Sequence, residues 1–120
     1  VQLSQHATKN LEETMNIQMI TEKLNTFSDE RDWNKYHSVK NLAMALSVEA
    51  SELVEIYQWK TEHESNDLSD KASVSHATEE IADIFMYLNR LCTKLNIDLE
   101  QAVLAKIEKN ALKYPAPSQK

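Results

Sequence analysis

Apolar residues return with helical spacing along most of this chain. Ile17, Ile20 and Leu24 share one side of a segment that predicts a helix over about 14–30. Leu42, Leu46, Leu53 and Ile56 do the same in a second segment, about 39–60, with Ser38 placed to cap its start. Ile81, Ile84, Phe85, Leu88, Leu91 and Leu95 form the stripe of a third, about 74–95. A fourth helix begins behind Asp98, with Gln101 at the capping-box position, and runs to about 112 before "YPAP" stops it. The stretches "SDERDWNKYHS", "TEHESNDLSDKASVS" and "NID" break the pattern and read as connections. The expected fold is all-α: a four-helix bundle with mostly short links, antiparallel between neighbours. Residues 1–13 read as an N-terminal extension or loose helix, 14–115 as the domain and 116–120 as a tail.

Composition supports the helical reading. The 120 residues contain no glycine, and the only prolines, Pro115 and Pro117, lie near the end. Hairpin turns of antiparallel sheets usually depend on glycine. One small bundle buries a modest core, and the apolar surplus on the second and third helices favours assembly into an oligomer. A formal net charge of −6 argues against binding a nucleic-acid polymer, which calls for a basic face. It leaves a nucleotide ligand open, because a bound cation reverses the local sign. The single cysteine, Cys92, excludes an intrachain disulfide and reads as a small buried hydrophobe. No apolar run reaches membrane-spanning length and no signal peptide is visible, so a cytoplasmic protein is expected.

Two pairs of acids disturb the stripes. With roughly 100° per residue, Glu49 falls in the middle of the apolar face of the second helix. Glu52 falls at its edge, and Glu55 turns toward water. On the third helix, Glu80 and Asp83 border the stripe while Glu79 points away. A carboxylate buried without a partner costs several kcal/mol or takes up a proton. If the two helices pack antiparallel, the four carboxylates of Glu49, Glu52, Glu80 and Asp83 converge. Hard oxygen ligands suit Mg²⁺, with Mn²⁺ as a substitute, rather than zinc. Acidic pairs on solvated faces are common, and Glu12/Glu13 and Glu62/Glu64 are read that way. His6, His63 and His76 are read as incidental, and Phe85 and Met86 as core or protomer interface.

The segments "ERDWNKYHSVKNLAMALSVEASELVEIYQW", "EEIADIFMYL" and "KIEKNALKYP" resemble, in this order, the MazG-like all-α nucleotide pyrophosphohydrolases. The likeness covers about residues 15–115 and is strongest to the small single-domain branch that includes the dCTP pyrophosphatases. It implies a four-helix protomer in a dimer or dimer of dimers, leaning to a tetramer. It implies Mg²⁺-dependent cleavage of nucleoside triphosphates between the α- and β-phosphates, giving a nucleoside monophosphate and pyrophosphate. That activity would serve as house-cleaning of the dNTP pool, with dCTP-like substrates favoured. Carried over by position, the metal ligands and catalytic acids are Glu49, Glu52, Glu80 and Asp83, with Glu52 the candidate for orienting water. The nucleoside pocket falls on Trp33, His37, Asn41, Trp59 and Tyr87. Lys106, Lys109 and Lys113 recur along the fourth helix. With Asn110 and the Tyr114 of the family-like "KYP", they are expected to hold the polyphosphate, though a solvated basic face accounts for any single lysine as well. Many relatives carry an acid where this chain has Val48, and glycines where it has Ala50 and Ser51. A non-catalytic, metal-stabilised helical oligomer acting as a binding module fits the acid pairs equally; the aromatic and lysine positions favour the enzyme. A dUTPase-like member of the same superfamily is a third reading.

Overall fold

The computed structural model of the chain describes residues 14–118. The expected N-terminal extension and the end of the tail lie outside them. The described residues form helices and a single 3₁₀ turn, with no strand among them. Helix α1 spans Ile17–Glu30, and a 3₁₀ turn covers Asn34–Tyr36. Helix α2 spans Val39–Tyr57, α3 Glu62–Ser65, α4 Lys71–Leu95 and α5 Leu99–Lys113. The all-α class holds.

Each helix starts on a side-chain cap that takes one of the backbone N–H groups left without an intrahelical partner. Asn16 accepts from Met19 N–H at 3.0 Å, and Ser38 from Asn41 N–H at 3.1 Å. Asp70 accepts from Ser73 N–H at 3.2 Å, and Asp98 from Gln101 N–H at 3.1 Å. The Ser38 and Asp98 caps are those the sequence predicts. Such a cap contributes about 1 kcal/mol. The polar link after α2 holds more structure than expected. Thr61 and Glu64 form a reciprocal capping box that starts the one-turn helix α3. Lys60 Nζ then reaches Asp70 Oδ2 at 3.3 Å and draws the two ends of the link together. Capped by Asp70, α4 begins at Lys71, three residues before its expected start.

The chain turns from α4 to α5 through Asn96, whose φ of 56° lies in the left-handed region. Asparagine tolerates that conformation better than most residues. Its N–H, and that of Ile97, return to the carbonyl of Cys92 and close the helix end.

The most extensive packing joins α2 to α4, and α1 lies against α4. Helix α5 makes no comparable interface within the protomer, in contrast to the expected bundle. Its Val103, Leu104, Ile107 and Leu112 are exposed. The Cα radius of gyration is 17.9 Å, against about 13 Å for a closed domain of this size. The protomer core is correspondingly thin: among the described residues only Leu42 and Ala77 are buried apolar side chains. Ile81 and Leu95, expected in the α4 stripe, are exposed at 56% and 48%. Their side of α4 is not covered within one chain. The other buried residues are polar: Ser28, Glu80, Asn89 and Arg90.

Candidate active site

The packing of α2 on α4 brings three of the four expected acids to one place. Carboxylate oxygens of Glu49, Glu52 and Glu80 lie within 4.8 Å of one another. Glu80 is only 8% exposed, and Glu49 and Glu52 are half-buried. Glu55 and Glu79 are exposed, as the helical faces require. Oε2 of Glu49 and Oε2 of Glu80 are buried without a hydrogen-bond partner. His76 Nε2 stands 3.5 Å from Glu80 Oε1.

Three carboxylates this close cannot all hold their charge at ordinary cost. Burial first, then the neighbouring Glu80 and Glu52, pushes the Glu49 carboxyl up to about 7. Burial and Glu52 raise Glu80 as well. Asp83, the fourth acid expected there, is outside this three-oxygen cluster and acts on Glu49 as a neighbouring charge. The donor set is all hard oxygen, with two buried oxygens lacking a partner, and it fits Mg²⁺ or Mn²⁺. A cation there would supply positive charge beyond that of the His76 imidazole beside Glu80.

Beside the cluster lies a cavity of about 430 Å³. Asp83 lines the cavity and, though outside the three-oxygen cluster, acts by charge on Glu49, so the cavity adjoins the acids. Trp33, His37 and Tyr87, three of the residues placed in the nucleoside pocket by resemblance, line it. The ring of Trp33 meets Phe27 edge-on at 5.4 Å and His37 at 6.5 Å between centroids. Burial chiefly, then the charges of Arg90 and Lys94, lowers the His37 pKa, so the imidazole is neutral near pH 7. Its Nδ1 is buried and unpartnered. Burial first, then Glu49 and Asp83, raises the Tyr87 pKa, and the phenol keeps its proton.

Other expected residues stand elsewhere. Asn41 does not line the cavity; its Nδ2 donates to the Tyr36 carbonyl at 2.9 Å and ties α2 to the preceding turn. Trp59 is 89% exposed and outside the cavity. Lys106, Lys109, Asn110, Lys113 and Tyr114 belong to the exposed α5 and its C-cap, where Lys113 Nζ sits 5.3 Å from the Tyr114 ring.

Some lining residues escape sequence reasoning. Met86, read as core or interface, lines the cavity; so do Lys23, Phe27 and Ser28 of α1, and Arg90 of α4. Arg90 is 6% exposed. Its Nη1 donates to Asn25 Oδ1 on α1, and its Nη2 to Asn34 Oδ1 in the 3₁₀ turn at 2.6 Å. Asn34 in turn donates to Asp29. The residue just before Arg90, Asn89, donates from Nδ2 to Thr21 Oγ1 at 3.0 Å.

An all-helical chain with this acid cluster matches a family model. The chain belongs to the MazG-like family, whose model matches residues 44–120. Among curated relatives, dCTP pyrophosphatase 1 of Bos taurus is 39% identical over 93 residues, covering 74% of this chain and 53% of that protein. The protein of the same name from Homo sapiens is 38% identical over 94 residues, covering 75% and 54%. This chain thus spans about half the length of the curated relatives it matches. A solved pyrophosphatase from Archaeoglobus fulgidus DSM 4304 superposes with a TM-score of 0.78 at 38% identity, covering 87% of this chain and 96% of that one. The family model starts inside α2, whereas the structural match covers more of the chain, including most of the described helices.

Proposed function

We propose that this protein is a Mg²⁺-dependent, cytoplasmic nucleoside triphosphate pyrophosphohydrolase. It cleaves (deoxy)nucleoside triphosphates between the α- and β-phosphates, releases a nucleoside monophosphate and pyrophosphate, and favours dCTP-like substrates. The reading rests on one observation: a three-carboxylate cluster lies beside a cavity walled by Trp33, His37 and Tyr87, with Asp83 lining the cavity and acting by charge on Glu49. The names of the relatives in cattle, human and Archaeoglobus agree with it.

Glu49, Glu52, Glu80 and Asp83 would hold Mg²⁺, or Mn²⁺ in its place. When bound, such a cation neutralises phosphate charge and acidifies bound water. The chain's own groups do the rest. Trp33 and Tyr87 offer flat apolar surface to a base, and the cavity excludes water from it. The neutral imidazole of His37 supplies one nitrogen that accepts and one that donates. A carboxylate with a free oxygen holds the attacking water in line with the phosphoanhydride, and Glu52 takes this role. Lys106, Lys109, Asn110, Lys113 and Tyr114 form the polyphosphate-binding set. The apolar face of α5 belongs to a homo-oligomer, a tetramer, in which it is covered.

Pyrophosphate release from a panel of dNTPs and NTPs, with Mg²⁺ against EDTA, tests this reading, with the mass of the same sample read by light scattering. Release from dCTP-like substrates that EDTA abolishes is expected, from a species larger than one chain. No release from any nucleotide by folded protein would overturn the activity, and a monomeric mass would overturn the assembly.

A further inference from the structure

The acids of the site sit on two helices that pack directly on each other. Trp33 and His37 do not. They flank the 3₁₀ turn Asn34–Tyr36, Trp33 before it and His37 after it. Backbone bonds within this segment are local: Trp33 N–H to Ser28 C=O at 3.0 Å, Tyr36 N–H to Trp33 C=O at 2.9 Å, His37 N–H to Asn34 C=O at 3.1 Å. Just ahead, Asp32 holds a φ of 54°. A residue with a Cβ stays in that left-handed conformation only where its surroundings over-determine it. Short local bonds leave the direction of the turn relative to α4 open.

Asn41 ties the end of the turn to α2, and Arg90 ties its first residue directly to α4. Its guanidinium donates along two edges at once, to Asn34 Oδ1 in the turn and to Asn25 Oδ1 on α1. The planar fork fixes both distance and angle, which a lysine ammonium does not. Arg90 lines the same cavity as Trp33 and His37. A buried guanidinium is costly unless its donors are used. Nη1 and Nη2 each find an amide oxygen, whereas Nε has no protein partner.

We infer that Arg90 is a positioning residue of the base-binding wall: by clamping Asn34 and Asn25 it sets where Trp33 and His37 stand over the cavity, and so sets nucleotide affinity without taking part in phosphoanhydride cleavage. The inference rests on the proposed nucleotide site. It distinguishes Arg90 from the acids of the same helix, which act on the phosphates.

The test uses Arg90→Gln, Arg90→Lys and Asn34→Ala in the full chain, with dCTP and Mg²⁺ as probe. For Arg90→Gln, KM is expected to rise at least about tenfold while kcat per folded site stays within about twofold, the signature of lost binding rather than lost chemistry. Arg90→Lys, keeping the charge but not the fork, is expected to recover less than half of the loss. A second readout needs no turnover. Only two tryptophans occur in the chain, so in a Trp59→Phe background the emission of Trp33 is read alone. Arg90→Gln is expected to red-shift it and to raise its acrylamide quenching. Unchanged KM and unchanged Trp33 emission in folded Arg90→Gln would overturn the inference, as would a fall in kcat with KM unmoved. If Arg90→Gln does not fold, Asn34→Ala, at a half-buried position outside the helices, decides on the same two readouts. Should the wild type hydrolyse no nucleotide, the function proposed above fails, while the fluorescence arm still decides whether Arg90 holds the wall.

Discussion

The two halves of α4 bury polar groups in opposite ways. In the N-terminal half, Glu80 faces Glu49 and Glu52, and two buried carboxylate oxygens lack partners. About 14 Å further along the axis, Asn89 and Arg90 are buried against groups that suit them: a threonine hydroxyl and two amide oxygens. Each keeps a single atom unpartnered. The first arrangement costs stability in the protein alone, because like charges repel and desolvated oxygens go unpaired. The second contributes to it, because α1 has little other packing and these bonds hold it to α4. A chain tolerates the first kind of burial where a ligand completes it. The comparison therefore separates the part of α4 that waits for a partner from the part that builds the scaffold.

The hardest way to break that separation is to neutralise the acids. Glu49→Gln and Asp83→Asn each remove a charge while keeping shape. Pyrophosphate release is expected to fall at least about 100-fold, a loss on the order of 3 kcal/mol in transition-state stabilisation. Helical circular dichroism should stay unchanged, and the metal-free protein should melt no lower, because a source of repulsion is gone. Near-normal turnover in either variant would remove that residue from the site.

The acid half is the half that the sequence makes legible. Glu49 interrupts a stripe of leucines at helical spacing, and local periodicity alone exposes the misfit. Glu80 and Asp83 are found by the same rule. The scaffold half leaves no such trace. Arg90 meets Asn25 and Asn34 across 65 and 56 residues of chain, and nothing periodic links them. The helix starts at Ser38 and Asp98 follow from cap chemistry, which is local. The capping box of Thr61 and Glu64 was equally local, but no apolar run follows it to mark a helix. The place of α5 shows the other limit: Val103, Leu104 and Ile107 announce that a helix face needs covering, and periodicity does not say by which chain. Trp59, adjoining the acid-bearing helix, illustrates how nearness along the sequence overstates nearness in space; it stands in solvent within the protomer.

A milder perturbation of the same comparison is pH. The Glu49 carboxyl lies at about 7, raised from 4.5, because it is buried beside Glu80 and Glu52. The folded protein thus holds a proton that the unfolded chain releases above about 4.5. The sign follows: metal-free stability is greatest, as far as this group goes, below that value, and is eroded as pH rises toward about 7. A cation must displace the same proton, so its affinity should weaken by up to about tenfold per pH unit below 7 and level off above it. Melting curves with and without Mg²⁺, between about pH 5 and pH 8.5, read both effects. The gap between them is expected to widen up to about pH 7 and then stay constant. A gap independent of pH would show that the cation is held elsewhere.

The smallest effect belongs to the scaffold half. Thr21→Val keeps the side-chain shape but removes the hydroxyl that accepts from Asn89 Nδ2 at 3.0 Å and donates to the Ile17 carbonyl at 2.8 Å. The buried Asn89 amide then loses its partner, at a cost of about 1 kcal/mol. A lower urea midpoint with an unchanged m-value is expected, since the surface exposed on unfolding stays the same. Turnover per folded site should not move, because Thr21 lines neither the acid cluster nor the cavity beside it. The opposite result, intact stability with lost turnover, would mean that the α1–α4 bond tunes the acids through the helix. The two halves of α4 would then be one device rather than two.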